Sequence, residues 1–448
     1  MNDWQNTLEI LVKTALSLGA SHADAVWFEN IDLSLACRKG TLEGLERSES
    51  QALTLRAFVG ESQAIVSSTD ISEASLKGLA TSAVAMAKIA PPDALSKLAA
   101  SSLYPASIPD LELCDLEEPT SDALFARAQE VEAAALAIPG ITNTEGADAS
   151  YSRNKIGLMI ASDGQIRFAE HYETSYSSLS TSVLAGTGTD MQRDYDSCTR
   201  RFASDLKAAK LIGEKAAHRA LKRMNPKKIQ SGTMPVLYDK RVSKQLVSSL
   251  ASAINGASIV RGSSFLRGDL GKQVFSKHIN ISDDPRMIRG LASKPFDGEG
   301  VGTRKLAIIE NGVLQSWIMD TRSAGALGLI TTGHATRGMG SPPSPSATNL
   351  YMHAGEYSPQ QLMKQMGSGL LITETFGTGI NTITGDYSQG ASGFMVENGE
   401  VTSAVAEITI AGNLRDMFAR IIAANDLAFD HATNAPSMLI DGMAVAGA

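Results

Sequence analysis

Apolar and polar residues alternate over two stretches near the start of the chain. Ile31, Leu33, Leu35 and Cys37 are separated by Asp32, Ser34 and Ala36, and Leu53, Leu55, Ala57 and Val59 by Thr54, Arg56 and Phe58. A two-residue period of this kind predicts strands with one buried face. Helical spacing brackets them. Trp4, Leu8, Leu11, Val12 and Ala15 precede Gly19, a natural C-terminal cap, and Leu76, Leu79, Ala80, Ala83 and Ala87 follow Asp70 and Glu73, which resemble a capping box. The pattern predicts a small α+β domain over residues 1–95.

Residues 89–120 read as a connector, because Pro91, Pro92, Pro105, Pro109 and Pro119 fall there among Ser, Ala and Asp. A central α+β domain over residues 115–228 is predicted next. It opens with a helix from Ser121 to Leu136, stopped by Pro139-Gly140. A hairpin follows, Ile156 to Ile160 and Ile166 to Phe168 around Asp163-Gly164, then an exposed strand from Tyr172 to Ala185 and a helix from Ser204 to Met224 that Pro226 ends. The remainder, residues 230–448, is glycine-rich. Asn311-Gly312 and Asn398-Gly399 stand between alternating apolar runs and accept the positive φ of tight hairpin turns. The fold class is therefore α+β, with a larger, mostly antiparallel β domain at the C-terminal end.

Composition narrows the function. The 448 residues are 43% hydrophobic and 20% charged, and no run of about 18 uncharged apolar residues occurs. Asp3, Glu9 and Lys13 interrupt the first apolar segment, unlike a secretory signal. Forty basic and 48 acidic residues leave a net charge of −8, which disfavours nucleic acid as a partner. Three cysteines (Cys37, Cys114, Cys198) have neither disulfide-framework nor metal-site spacing. A cytoplasmic protein with no membrane partner is the expectation.

Catalytic motifs are missing. No two of the seven histidines lie three to five residues apart, so no helix face presents a metal pair; His334 and His353 remain as candidates for a site assembled from afar. There is no G-x-S-x-G, no complete G-x-G-x-x-G and no P-loop. Cys37 falls on the apolar side of a strand and reads as an inert thiol. Cys198, amid Arg193, Asp194, Asp196, Arg200 and Arg201, reads as a solvent-exposed loop thiol. Asp283-Asp284 and Asp297/Glu299 offer hard-cation ligands, but turn chemistry explains them more simply.

Several ordered segments nevertheless resemble one family. Gly262-Ser-Ser-Phe-Leu266, Ser282-Asp-Asp-Pro285, Pro295-Phe-Asp-Gly-Glu-Gly-Val301, Glu310-Asn-Gly-Val-Leu314 and Thr348-Asn-Leu350 are followed by Gly385-Asp-Tyr-Ser388, Gly390-Ala-Ser-Gly393, Ala406-Glu-Ile-Thr-Ile-Ala-Gly-Asn413 and Ala435-Pro-Ser-Met-Leu-Ile-Asp-Gly-Met443. Together they are similar to the TldD/PmbA family, specifically its PmbA (TldE) branch, historically called modulators of DNA gyrase. The resemblance implies a dimeric metallopeptidase. Its TldD-type subunit holds a metal, expected to be zinc, with a His-Glu-x-x-x-His helix and a later cysteine, and its PmbA-type subunit lacks those ligands. The metal helix would fall near Leu246 to Ala251, which here reads Leu-Val-Ser-Ser-Leu-Ala. The resemblance thus implies no catalytic residue and no cofactor in this chain, a TldD-like heterodimer partner, and unfolded or extended peptides as substrates. Residues assigned to the peptide cleft are Thr384, Gly385, Asp386 and Ser388, on a glycine-rich strand able to offer its backbone, with Asp297 and Glu299. Two alternatives stay open: a stand-alone peptide-binding homodimer, and a metallopeptidase with a non-standard site at His334 and His353.

Overall fold

The computed structural model describes residues 3–377 and 379–447. The first half folds around a single six-stranded antiparallel sheet. Its strands are β1 (His22–Arg38), β2 (Thr41–Val59), β3 (Ser62–Ser68), β4 (Ile141–Ser162), β5 (Gln165–Ala185) and β6 (Gln192–Arg200), in the order β3-β2-β1-β4-β5-β6. The pairing of β1 with β4 runs from His22↔Ser162 to Cys37↔Ala147, so the N-terminal and central segments share one continuous sheet.

The two-residue period decides what each face of that sheet meets. On β1, Ala23, Ala25, Trp27, Leu33, Leu35 and Cys37 point to one side. Helices α1 (Asp3–Ser17) and α2 (Glu73–Ile89) cover the first part of that side, and α3 (Ser121–Leu136) and α4 (Ala209–Lys222) the rest. The two latter helices cross closely at Gly213, where a Cβ would lie 2.2 Å from the carbonyl oxygen of Val131. The intervening residues Asp24, Val26 and Phe28 face the other way, toward the connector and the C-terminal domain.

The helix from Ser121 to Leu136 forms as the sequence predicts, N-capped by Thr120, and the Asp163-Gly164 turn joins β4 to β5. Three expectations change. The strand from Tyr172 is not simply exposed: Thr174, Ser175, Ser177, Thr181, Val183 and Ala185 are buried. The helix expected from Ser204 begins only at Ala209, after a single tight turn over Ala203–Asp205. Cys198 is on β6, 3% exposed, and accepts a hydrogen bond from the Lys207 amide at 3.5 Å. Asp194 and Asp196 share its buried face, paired with Arg223, Arg241, Arg219 and Lys215, so the charges that suggested an exposed thiol are themselves buried ion pairs.

In the C-terminal domain, β7 (Gly232–Tyr238) leads into α5 (Lys240–Ala253) and α6 (Gly256–Arg261). A peripheral sheet then uses β8 (Ile281–Asp283), β9 (Leu306–Glu310) and β10 (Val313–Leu314), followed by α7 (Thr321–Ala326) and the small pair β11 (Ala335–Thr336) and β12 (Ser344–Pro345). The chain continues through β13 (Leu350–Met352), α8 (Pro359–Met366), β14 (Gly369–Phe376), β15 (Asp386–Glu397), β16 (Glu400–Asn413), α9 (Leu414–Arg420), β17 (Ile422–Ala423), β18 (Thr433–Asn434) and β19 (Met438–Ala446). Pairings β16-β15-β14-β7-β19 are closed by β16–β19, giving a small five-stranded barrel. Only β7–β14 is parallel in it. The closure spans three residue pairs, Thr409–Ala411 against Ala444–Ala446. Both Asn-Gly turns form as expected, with positive φ at each position (49° and 79°, 53° and 78°). The strand after Asn311-Gly312 is only two residues long, Val313–Leu314, although the sequence reads as an apolar run from Val313 to Asp320. No helix among the described residues is long and apolar enough to cross a membrane.

Candidate functional site

Where the central segment meets α5, two hollows join into one groove. The first, about 90 Å³, lies between β6, α4, the start of α5 and the loop around Asp430. The second, about 740 Å³, runs on between α5 and the outer half of β14. Helical spacing aims the positive charge: Lys215 and Arg219 are four apart on α4, and Lys240 and Lys244 four apart on α5.

Carboxylates fix part of this charge in place. Asp194, 2% exposed, holds Arg241 at 2.9 Å and Arg223 at 3.4 Å, and Arg241 stacks over the Tyr195 ring at 4.7 Å. Asp430 binds Arg200 at 2.6 Å and Lys207 at 3.0 Å; burial opposes its ionisation, yet these two cations hold it at about 2. Asp196 takes Arg219 at 2.7 Å and Lys215 at 3.6 Å. Lys244 has no ion-pair partner among the described residues, and burial, with Arg241 beside it, pulls its pKa down. Burial and Lys244 depress His431 likewise. The first hollow thus presents six cationic side chains against two carboxylates. It favours an acidic or carboxylate-bearing ligand.

The second hollow offers backbone. β7 pairs with β14 only over Leu370–Ile372, and the Asp239 amide closes that ladder on Ile372. Beyond it, Thr373 to Phe376 keep a β7-side edge without a strand partner among the described residues, next to Gln245 and Ser248 of α5. An extended peptide can add to such an edge through its main chain.

The six residues selected from sequence are not brought together. Thr384, Gly385, Asp386 and Ser388 belong to the turn and first residues of β15 and line neither hollow. They bond among themselves and to their neighbours: Thr384 Oγ1 donates to Asp386 Oδ2 at 2.6 Å, and Asn413 Nδ2 donates to the Thr384 carbonyl at 3.1 Å. Gly385 sits at φ +83°, a conformation glycine adopts without strain. Asp297 and Glu299 are buried elsewhere, under the six-stranded sheet. Asp297 accepts the amides of Glu299, Val301 and Ala335 at 2.8–3.0 Å. Glu299 accepts the Thr321 amide at 2.8 Å.

Burial and then the Asp297 charge push Glu299 up to about 7. A carboxyl with a folded-state pKa raised this way adds stability below its unfolded value, and loses that contribution as pH rises toward 7. Glu299→Gln should therefore gain stability relative to the native chain at pH 8 compared with pH 5. Urea midpoints at the two pH values check this, and an equal difference at both would contradict it.

His334 and His353 do not form a pair. His334 is fully buried, with Nδ1 2.9 Å from the Thr332 carbonyl and Nε2 3.1 Å from Asp283 Oδ1. His353 Nε2 lies 2.9 Å from Ser282 Oγ, and its ring stacks on Tyr351. Ser282 and Asp283 are neighbours on β8 and point to opposite faces, so the histidines do too. Asp284 receives the Arg286 amide at 3.0 Å, the turn bond its place before Pro285 suggests. Sequence reading missed the groove cations. Their only local signal was the four-residue spacing on α4 and α5.

Comparison with known proteins agrees with this architecture. Three family models match in order: PmbA/TldA metallopeptidase domain 1 over residues 23–87, the central domain over 114–224 and the C-terminal domain over 231–447. Metalloprotease PmbA of Escherichia coli O157:H7 is 36% identical over 446 residues, spanning 98% of this chain and 96% of its own. A PmbA homolog of Haemophilus influenzae is likewise 36% identical, over 99% and 96%. A crystal structure from Bacteroides thetaiotaomicron, described as a modulator of DNA gyrase, superposes with a TM-score of 0.88 at 25% identity and full coverage of both chains. TldE from Thermococcus kodakarensis shares the fold, with a TM-score of 0.87 over 98% of this chain and 100% of its own, at 19% identity. This chain belongs to the PmbA/TldD family of metallopeptidases.

Proposed function

We propose that this chain is the PmbA-type subunit of a cytoplasmic two-subunit metalloprotease, in which a TldD-like partner holds the metal. The observation carrying this reading is α5. The stretch Leu246 to Ala251 has no imidazole, thiolate or carboxylate, and Leu246, Val247 and Leu250 are packed in the core. Among the described residues no three His, Cys, Asp or Glu side chains gather as metal ligands. The side chains of Leu246 to Ala251 include none of the donors a catalytic zinc takes.

The groove supplies the chain's own contribution. The free edge of Thr373–Phe376 receives an extended segment through its backbone, and the cations around Lys244 favour acidic side chains or a terminal carboxylate on that segment. An unfolded peptide meets both demands, since its main chain is unpaired. Co-expression tests the subunit role. The chain should retain a TldD-like subunit from the same genome through gel filtration, and elution of two separate species would overturn the reading. Within that complex, Lys244→Glu should lower kcat/KM for an acidic peptide about tenfold, roughly 1.4 kcal/mol, and leave a neutral peptide nearly unchanged. Equal losses on both peptides would remove the electrostatic role.

A further inference from the structure

The groove between α5 and β14 has two unequal ends, and two contacts fix their order along the strand. The Asp239 amide donates to the Ile372 carbonyl at 2.9 Å, and Thr375 Oγ1 donates to Gln245 Oε1 at 2.9 Å. Helix α5 therefore advances beside β14 in the direction of that strand. Its first turn stands at the Thr373 end of the free edge, and Ser248 stands toward Phe376. The smaller hollow opens at the Thr373 end: Lys240, Arg241 and Lys244 line it, while Gln245, Ser248 and Thr373–Phe376 line only the larger one.

Charge at that end is not balanced within the chain. Its three carboxylates each serve two cations already: Asp194 takes Arg223 and Arg241, Asp196 takes Lys215 and Arg219, and Asp430 takes Arg200 and Lys207. Lys240 and Lys244, one helical turn apart, are left over. Lys244 lines both hollows and has no hydrogen bond or ion pair among the described residues. Lys240 makes one long bond, 3.4 Å to the Asp426 carbonyl. An ammonium carries three donors, so both keep donors for a ligand. Neutral acceptors such as Ser197 and Asn434 share the wall, but they cannot cancel the charge. The hollow holds about 90 Å³, the volume of about three water molecules. That is room for a carboxylate and a small side chain, not for a chain that runs on.

We propose that the smaller hollow takes the free carboxyl end of the bound peptide, with its carboxylate on Lys244 and Lys240 and the preceding residues laid antiparallel to β14 along Thr373–Phe376. The direction follows from the order of the ends: β14 runs from Thr373 to Phe376, and a peptide that finishes beside Thr373 runs the other way. On the peptide-groove reading, on which this depends, the favoured substrates are then chains with an accessible carboxyl end, as an earlier endoproteolytic cut leaves. End-blocked peptides isolate the effect of acidic side chains, the comparison made above, and a free carboxyl end adds a separate contribution.

Fluorescence anisotropy on the full-length chain is the direct test. One extended peptide without charged side chains, carrying an uncharged fluorophore at its amino end, is titrated as the free acid, as the carboxamide, and as the carboxamide with an internal Asp. The free acid should bind about tenfold tighter than the carboxamide, the effect of one charge-assisted contact. The internal Asp should recover only part of that gain. Lys244→Gln should close the gap between acid and carboxamide, and Lys240→Gln, on an exposed side chain, decides the matter if Lys244→Gln does not fold. A benzophenone next to the carboxyl end should crosslink near Lys244 and Tyr195, and one about four residues upstream near Ser248 and Phe376. Equal binding of acid and carboxamide overturns the carboxyl-end assignment and leaves the groove standing, as does an internal Asp that restores the whole gain. Crosslinks in the reverse order overturn the direction. Absence of binding by all three peptides overturns the groove reading itself, and this proposal with it.

Discussion

Asp24→Ala should destabilise this chain by about 3–5 kcal/mol, the cost of breaking a buried ion pair from one side. Asp24 is fully buried between two cations. Arg56 reaches Oδ2 through both Nε, at 2.9 Å, and Nη2, and Arg337 reaches Oδ1. Arg56 stands directly across from it in the β1–β2 register, whereas Arg337 comes from the C-terminal domain. Removing the carboxylate strands two guanidiniums, 4% and 2% exposed at their side chains, with no other carboxylate bonded to either. Arg56→Met alone should cost less, because Asp24 then keeps Arg337. Chemical denaturation of the three proteins checks the order. A loss below about 1 kcal/mol for Asp24→Ala would place the cluster in the class of screened surface pairs.

The same cluster sets a pH dependence. Burial opposes the ionisation of Asp24, but Arg337 and Arg56 outweigh it and hold the carboxyl below the usual range. Its folded pKa is depressed, so its contribution is complete above the unfolded value of about 4 and disappears as pH falls through the folded value. Acid unfolding of the native chain should therefore lose this contribution below about pH 4, and Asp24→Ala should lack that component of the acid transition.

Local pattern revealed the helices and turns, and long-range pairing governed the rest. Ile31 to Cys37 and Leu53 to Val59 announced β1 and β2 by alternation, but β2 begins at Thr41, and residues 41–51 are exposed on both faces, leaving no apolar period to read. The union of β1 with β4 links residues more than 100 positions apart, and no motif marks it. Asp24 and Arg56 did carry a signal: each is a single charge inside an apolar run, Ala-Asp-Ala-Val-Trp-Phe and Leu-Thr-Leu-Arg-Ala-Phe-Val. A charge in such a place is either an outward face or a buried pair, and only the register tells which. The groove was hidden for a related reason. Lys207, Lys244 and His431 come from three separate segments, so no spacing in sequence foreshadows their meeting. Glycine-rich segments such as Thr382 to Ser392 drew attention instead, and their residues satisfy each other within one turn.

Mixing this chain with a TldD-like subunit should turn two inactive or weakly active preparations into one that cleaves an acidic, extended peptide, with a rate gain of at least about a thousandfold over this chain alone. The size of that step follows from what each side lacks. A peptide bond needs a polarised carbonyl and an activated water, and α5 here places Gln245 and Ser248, not metal ligands, along the groove. What it has, among the described residues, is a backbone edge without a strand partner and a fixed positive field; on the proposed reading these would hold a chain segment without lowering the barrier to its hydrolysis. Binding without chemistry is useful only beside chemistry. Peptidase activity that survives in the isolated chain, is removed by a chelator and falls with His334→Ala or His353→Ala would contradict the subunit reading. Peptide binding with no cleavage in either preparation would leave a binding protein in its place. Activity that appears on mixing and weakens for acidic peptides in Lys244→Glu would join the partner's metal to this groove as the two walls of one site.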